Sequence, residues 1–345
     1  MSRVWSGGHS SAVLCAAVSG PSQLMVASGA EAGELTLWSP DGSPLSSLRL
    51  SSEPVTGLAF CAAAPERLYA SHGRDVSVLD CRKMSAPLAT LPEVAEEEIN
   101  GLSVDESGRT LATADDSGAV TLIDLQLLRV SRTLSAHHNI CSSVAFRPRR
   151  PQSLVSAGLD MQVCLWNLPK PRPLWSCSLQ EQEASAEMIN PPLAHCVCVS
   201  SCGTVLGCAA EDGAVHLLRV SEDGRLRQRG SLRAHSQGAS QAHFLSFLSH
   251  PYWLASGGND GLLALWDLSR EPLVAHGRKP RGQRRRAGAR QSVPSQEEQE
   301  ELRPTQCFQH GEKVNWLCPA VLEGKPSLLV TDQTSCLSVY SLERL

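Results

Sequence analysis

The chain has 345 residues, 42% of them hydrophobic, 19% charged and 4% aromatic, with a formal net charge of −4. That is enough chain to bury a large core, and no apolar run approaches the roughly 18 residues of a membrane-spanning helix, which excludes an integral membrane protein of the helical kind. The 26 glycines and 21 prolines suit many short elements joined by tight turns better than a few long helices.

In chain order, the first apolar run is Ala12 to Val18. It follows Gly7-Gly8-His9-Ser10-Ser11 instead of a basic segment, and no small-residue cleavage site comes after it, so a strand is expected and not a signal peptide. From there one unit recurs, at Met25 to Trp38, Leu68 to Asp80, Leu111 to Asp124, Leu154 to Asn167, Leu206 to Arg219, Leu254 to Asp267 and Leu328 to Tyr340. Each unit is an apolar strand, a turn rich in Gly, Asp and Ser, and an alternating strand that ends on a large apolar residue, which reads as a β-hairpin. The closing residues are Trp38, Leu79, Ile123, Trp166, Leu218, Trp266 and Tyr340, at intervals of 41, 44, 43, 52, 48 and 74. The first five intervals sit near the ~40–45-residue period of four-stranded propeller blades. The last is roughly 30 residues too long by that period, which predicts an insertion at about residues 270–302.

Thirteen cysteines is an odd number, so at least one thiol cannot pair within the chain. Without a secretory signal, free buried thiols in a reducing compartment are the expectation, and with it an intracellular protein of the cytoplasm, the nucleus or both.

Two hairpins carry a polar set at matching offsets: His137, Ser156, Asp160 and Trp166, and His235, Ser256, Asp260 and Trp266. His9, Ser28 and Trp38 repeat the set with Ala32 in place of the acid. In these residues the chain resembles the WD-repeat family across essentially its whole length. The resemblance implies an all-β fold: a seven-bladed β-propeller of four-stranded antiparallel blades, residues 1–345 forming a single propeller with a disordered insertion. The last repeat ends at Tyr340 with no fourth strand after it, while Ser2 to Ser6 precede the first repeat with a strand to spare. Closure by the N-terminal strand pairing in the last blade is therefore expected, since it removes two exposed edges. Trp5 would then belong to the core of that seam.

Recurring Ser, His and Asp invite a hydrolase reading, but a nucleophilic Ser needs an exposed elbow and an oxyanion hole. No G-x-S-x-G occurs, and a set that repeats with Trp at a fixed offset is a packing device, whereas a catalytic site is normally unique. His195, Cys196, Cys198, Cys202 and Cys208 crowd one hairpin. Cys198 and Cys202 have a spacing a zinc site permits, yet Cys196 and Cys198 alternate along a strand whose neighbours point into a packing layer, and they read as small buried hydrophobes. Metalloprotease, P-loop and dinucleotide-binding motifs are lacking. No catalytic residue, metal or cofactor is expected, and the chain reads as a non-enzyme.

The insertion carries Arg278, Lys279, Arg281, Arg284, Arg285, Arg286 and Arg290 without an intervening acid, and then Glu297, Glu298, Glu300 and Glu301. Setting those seven positive charges aside from −4 leaves the rest of the chain at −11. Such blocks are a solvated loop, a nuclear-import signal or a nucleic-acid arm. No aromatics interleave the arginines, so base stacking has no support.

WD-repeat proteins that serve as substrate receptors of cullin-four ubiquitin ligases resemble one another in a box at the end of a third strand: a large apolar residue, Asp, any residue, Arg. Leu79-Asp80-Cys81-Arg82 matches it, with Leu where Trp is commoner; Trp266-Asp267-Leu268-Ser269-Arg270 places its Arg one residue late. The resemblance implies adaptor contact through Asp80 and Arg82; an ordinary rim arginine is the alternative. The expectation is a protein-binding scaffold, monomeric outside its complexes, with that receptor role as its specific form and a nuclear nucleic-acid-associated factor as the competing one.

Overall fold

A computed structural model describes residues 2–20, 24–180, 190–269 and 302–343. The described residues form 28 β-strands and no helix, so none is long and apolar enough to cross a membrane. The strands make seven four-stranded antiparallel sheets, the blades. Blade 1 is β2 (Val13–Val18), β3 (Val26–Ala30), β4 (Glu34–Trp38) and β5 (Pro44–Arg49). Blades 2 to 6 follow over residues 55–91, 99–135, 141–178, 194–233 and 239–309. Blade 7 takes β26 (Trp316–Leu322), β27 (Lys325–Thr331) and β28 (Leu337–Ser341) from the end of the chain and β1 (Ser2–Trp5) from its start.

The hairpins of the sequence are the second and third strands of each blade. All seven closing residues take one register: Trp38 faces Val26, Leu79 faces Leu68, Ile123 faces Leu111, Trp166 faces Leu154, Leu218 faces Leu206, Trp266 faces Leu254 and Tyr340 faces Leu328. These middle strands are largely buried because both faces of a blade lie against neighbours. They accordingly read as continuous runs of Val, Leu, Ala and Ser. Outer strands such as β13 (Arg129–Ser135) face water and are polar.

Buried side chains gather in seven apolar layers, one between each pair of adjacent blades. The layer between blades 7 and 1 closes the ring. It holds Trp5, Trp38, Val13, Leu329 and Leu337. β1 pairs antiparallel with β28, with Trp5 opposite Leu337, and the Trp5 and Trp38 rings lie 5.9 Å apart.

A second device runs around the channel. In six inner strands the register skips one residue, at Leu14, Thr56, Asn100, Ser142, His195 and Ser240. Each is a β-bulge, which re-aims a side chain out of the pleat, and all six line the central cavity together with Asn315. Five of the seven reach the next blade: Thr56 Oγ1 donates to the Ile99 carbonyl, Asn100 Nδ2 to Cys141, Ser142 Oγ to Ala194, Ser240 Oγ to Val314, and Asn315 Nδ2 to Val13. Between blades 1 and 2 the donor is instead the Cys15 thiol, to the Val55 carbonyl.

The long last interval falls between the third strand of blade 6, β24 (Leu262–Asp267), and its fourth, β25 (Gln306–Gln309). The basic run from Arg278 to Arg290 lies outside the described residues.

Removal of the Trp5 side chain opens the closing layer. Trp5→Ala is expected to lower stability by about 3–5 kcal/mol in urea unfolding. Trp5→Phe should cost less than half of that, because the indole N–H it deletes has no hydrogen-bond partner among the described residues.

Candidate functional site

Ser156 lies on β15 (Ser153–Gly158) and Trp166 on β16 (Gln162–Asn167), with Asp160 in the turn between them and His137 ahead of the blade. Trp166 Nε1 donates to Ser156 Oγ at 2.8 Å, Ser156 Oγ lies 2.8 Å from His137 Nε2, and His137 Nδ1 lies 3.0 Å from Asp160 Oδ1. Asp160 Oδ2 accepts the His138 backbone N–H. Trp266, Ser256, His235 and Asp260 repeat the chain at 3.0, 2.9 and 3.2 Å. The order Ser, His, Asp is that of a hydrolytic relay, but the place of a substrate is taken by an indole. Both serines are 0% exposed, and a hydroxyl engaged by Trp and His and sealed from solvent attacks nothing. The network ties the loop entering a blade to its second and third strands.

Burial opposes ionisation of Asp160 and Asp260, but the bonds they accept outweigh it and hold both carboxyls below their usual range. Burial holds the His235 imidazole below its usual range despite Asp260.

Three parts of these networks were not read from the sequence. The first is Gly158 and Gly258: a β-carbon there would lie 2.8 Å from His137 Nδ1 and 2.5 Å from His235 Nδ1, so only glycine leaves room for the His–Asp contact. In blade 1 the matching residue is Ala30, and the acid comes from elsewhere. Glu34 Oε2 accepts the Ser10 N–H at 2.8 Å and lies 3.6 Å from His9 Nδ1, while Trp38 Nε1 donates to Ser28. In blade 7 His310 bridges Asp332 and the Tyr340 hydroxyl, both at 2.9 Å. The His-to-Asp step there is 22 residues, against 23 and 25 in the complete sets, and that spacing was the available signal.

The cysteines do not converge. Cys196 and Cys198 project into the layer between blades 5 and 6 and Cys208 into the layer between blades 4 and 5, while His195 turns to the cavity and meets Glu211 at 2.7 Å. Burial pushes the Cys198 and Cys208 thiols well above their usual range, the opposite of what a thiolate ligand requires. All thirteen cysteines are free thiols, and no group of potential ligands is placed to hold a metal among the described residues.

Two surfaces remain for partners, one on each face of the ring. The cavity of about 600 Å³ at the channel mouth is lined by Asn100, Asp116, His195, Glu211, Asn259 and Lys313 among others. Asp80 and Arg82 lie on the opposite rim, where first strands turn into second and third into fourth. Asp80 ends β8 (Asp75–Asp80), and its carboxylate accepts Arg82 Nε at 2.9 Å and Nη2 at 2.6 Å. These bonds hold the Asp80 carboxyl down to about 2. The Arg82 side chain is 61% exposed. Arg270 and the cluster Arg278, Lys279, Arg281, Arg284, Arg285, Arg286 and Arg290 lie outside the described residues.

Seven circularly packed blades, a Trp–Ser–His–Asp device that recurs and the borrowed N-terminal strand make a β-propeller of the WD-repeat kind. The model of the WD domain, G-beta repeat, matches residues 128–167 and 226–267, the two stretches that hold the complete sets. Each stretch runs from the outer strand of one blade through the third strand of the next, so a sequence repeat is one strand out of step with a blade. The chain is similar to WD repeat-containing protein 53 homolog of Dictyostelium discoideum, with 25% identity covering 97% of this chain and 93% of that protein. It is also similar to Nuclear distribution protein PAC1 of Komagataella phaffii, with 24% identity over 38% of this chain and 29% of that protein. A propeller of this kind is a non-catalytic protein-interaction scaffold.

Gly258→Ala is expected to force His235 and Asp260 apart and cost about 1–3 kcal/mol in chemical unfolding, whereas Gly230→Ala, whose β-carbon would meet open space, should stay near wild type. Because the folded-state pKa of Asp260 lies below the unfolded one, its stabilisation is complete at neutral pH and drains away as pH falls below about 4. The stability gap between wild type and Asp260→Asn should therefore narrow between pH 6 and pH 3, read from urea midpoints.

Proposed function

We propose that this scaffold is a substrate receptor of a cullin-four RING ubiquitin ligase, with Arg82 at the contact to the ligase adaptor. The carrying observation is the geometry at the end of β8. Leu79 is fully buried in the position that Trp166 and Trp266 occupy in their blades, which fixes the strand exit. Asp80 then grips Arg82 through two bonds and presents its guanidinium on the rim. An ion pair this exposed is screened by water and adds little to stability, so stability does not account for the arrangement. A planar fork that stays charged when water is removed suits an interface. The match to the receptor box is with Leu in place of Trp, and it is a single one.

Arg82→Ala should reduce recovery of the adaptor in pull-downs from cells while the melting temperature stays within about 2 °C of wild type, the shift expected of an exposed pair. Unchanged adaptor recovery would sink the receptor role.

A second reading, contact with nucleic acid, is favoured by the seven positive charges between Arg278 and Arg290. It requires RNA recovery that falls steeply as salt rises and that is lost when residues 276–301 are deleted.

A further inference from the structure

We propose that a cleft in blade 4, on the rim that also carries Arg82, is a docking site for an acidic, extended segment of a partner protein. The cleft lies between the loop of residues 147–152 and the loop of residues 167–174. It encloses about 400 Å³ and is lined by Arg147, Arg149, Arg150, Pro151 and Leu174 among others. This site does not rest on the receptor reading, which concerns blade 2.

Charge is the first argument. Arg149 and Arg150 are exposed, and neither guanidinium is in an ion pair among the described residues. Arg147 is only 7% exposed. Its Nε and Nη2 donate to the Gly203 carbonyl at 2.9 and 2.6 Å and its Nη1 to Ser153 Oγ at 3.2 Å. These acceptors are neutral, so they hold the guanidinium without cancelling its charge, and although burial lowers its pKa to about 10 it is cationic at neutral pH. The acid at the edge of the cleft is Glu106, engaged by the Arg149 backbone N–H at 3.0 Å. Three guanidinium groups against one carboxylate favour an anionic occupant.

Rigidity is the second. Glu106 belongs to blade 3 and Gly203 to blade 5, so the loop is pinned from both sides, and within it the Arg150 N–H donates to the Arg147 carbonyl and the Ser153 N–H to the Arg150 carbonyl. Arg149 is held at φ 60°, a left-handed conformation in which a side chain bearing a β-carbon is strained and glycine is not. Strain of this kind persists where surrounding structure enforces it and gathers at binding sites. A loop already ordered loses little entropy on binding.

The occupant follows from the lining. Exposed forks suit carboxylates, and Leu174, 39% exposed, offers an apolar contact beside them. Trp166, the one aromatic ring in the lining, is 0% exposed, so a nucleic-acid base finds no surface on which to stack.

Three fluorescein-labelled probes test this by anisotropy against the full chain: the hexapeptide EEDLEE, its neutral counterpart QQNLQQ and a ten-nucleotide uridine oligomer. EEDLEE should bind at least about tenfold more tightly than QQNLQQ, and the double substitution of Arg149→Gly with Arg150→Ala should weaken it at least about fivefold, the effect of two charge contacts. Arg149→Gly alone should melt at or above the wild-type temperature, since it relieves the strained backbone. Equal binding of the two peptides, an unaffected double variant, or tighter binding of the uridine oligomer than of EEDLEE would overturn the proposal. A lowered melting temperature for Arg149→Gly would overturn it too, by making the side chain structural.

Discussion

Circular closure is the constraint on which the structure depends. A blade has two apolar faces and cannot bury both alone, so a row of blades leaves one face bare at each end. The ring removes both ends by joining them, and the joint is the layer where Trp5 meets Trp38. The repeat being one strand out of step with the blade makes that joint possible: the chain reaches blade 7 one strand short, and β1 supplies it. The side chains at the bulges add a second belt around the channel, in which hydrogen bonds from one blade satisfy carbonyls of the next. Leu14 and His195 are the exceptions: His195 bends to Glu211, and at both steps a cysteine thiol reaches the next blade instead, Cys15 to the Val55 carbonyl and Cys196 to the Ala242 carbonyl.

The recurring Trp–Ser–His–Asp chain shows how the same donor and acceptor order serves opposite ends. In a hydrolase the serine hydroxyl is left open to a substrate. Here an indole N–H occupies it and two sheets seal it. What remains of the relay is its capacity to satisfy buried polar groups in sequence, which fixes the turn against the strand. Blades that lack the complete set solve the problem differently, with Glu34 in blade 1 and Tyr340 in blade 7.

With the core committed to stability, interaction falls to the rims and the channel mouth. Rim residues are held by the scaffold but contribute little to it. Arg82 and Arg149 illustrate this in two ways, the first braced by its own aspartate at a strand exit, the second fixed in a backbone conformation that only its pinned loop imposes. The insertion leaves blade 6 from the same rim, between β24 and β25.

The sequence by itself determined the blade count, the hairpins, the seven equivalent closing positions and the strand that seals the ring. These follow from local periodicity and from the requirement that apolar strands be covered, both written residue by residue. It also placed His137, Ser156, Asp160 and Trp166 in one set, because the set repeats at fixed offsets in a second blade. Tertiary structure alone decided what depends on separate strands meeting. Glu34 replaces an aspartate because it approaches His9 in space, and Gly158 is needed because an imidazole passes over it. Cys196 and Cys208 part because the two faces of one sheet pack into different layers. The blade 4 cleft lies between two loops of one blade that Glu106 of blade 3 and Gly203 of blade 5 hold in place, and no spacing along the chain encodes a distance between side chains on different sheets.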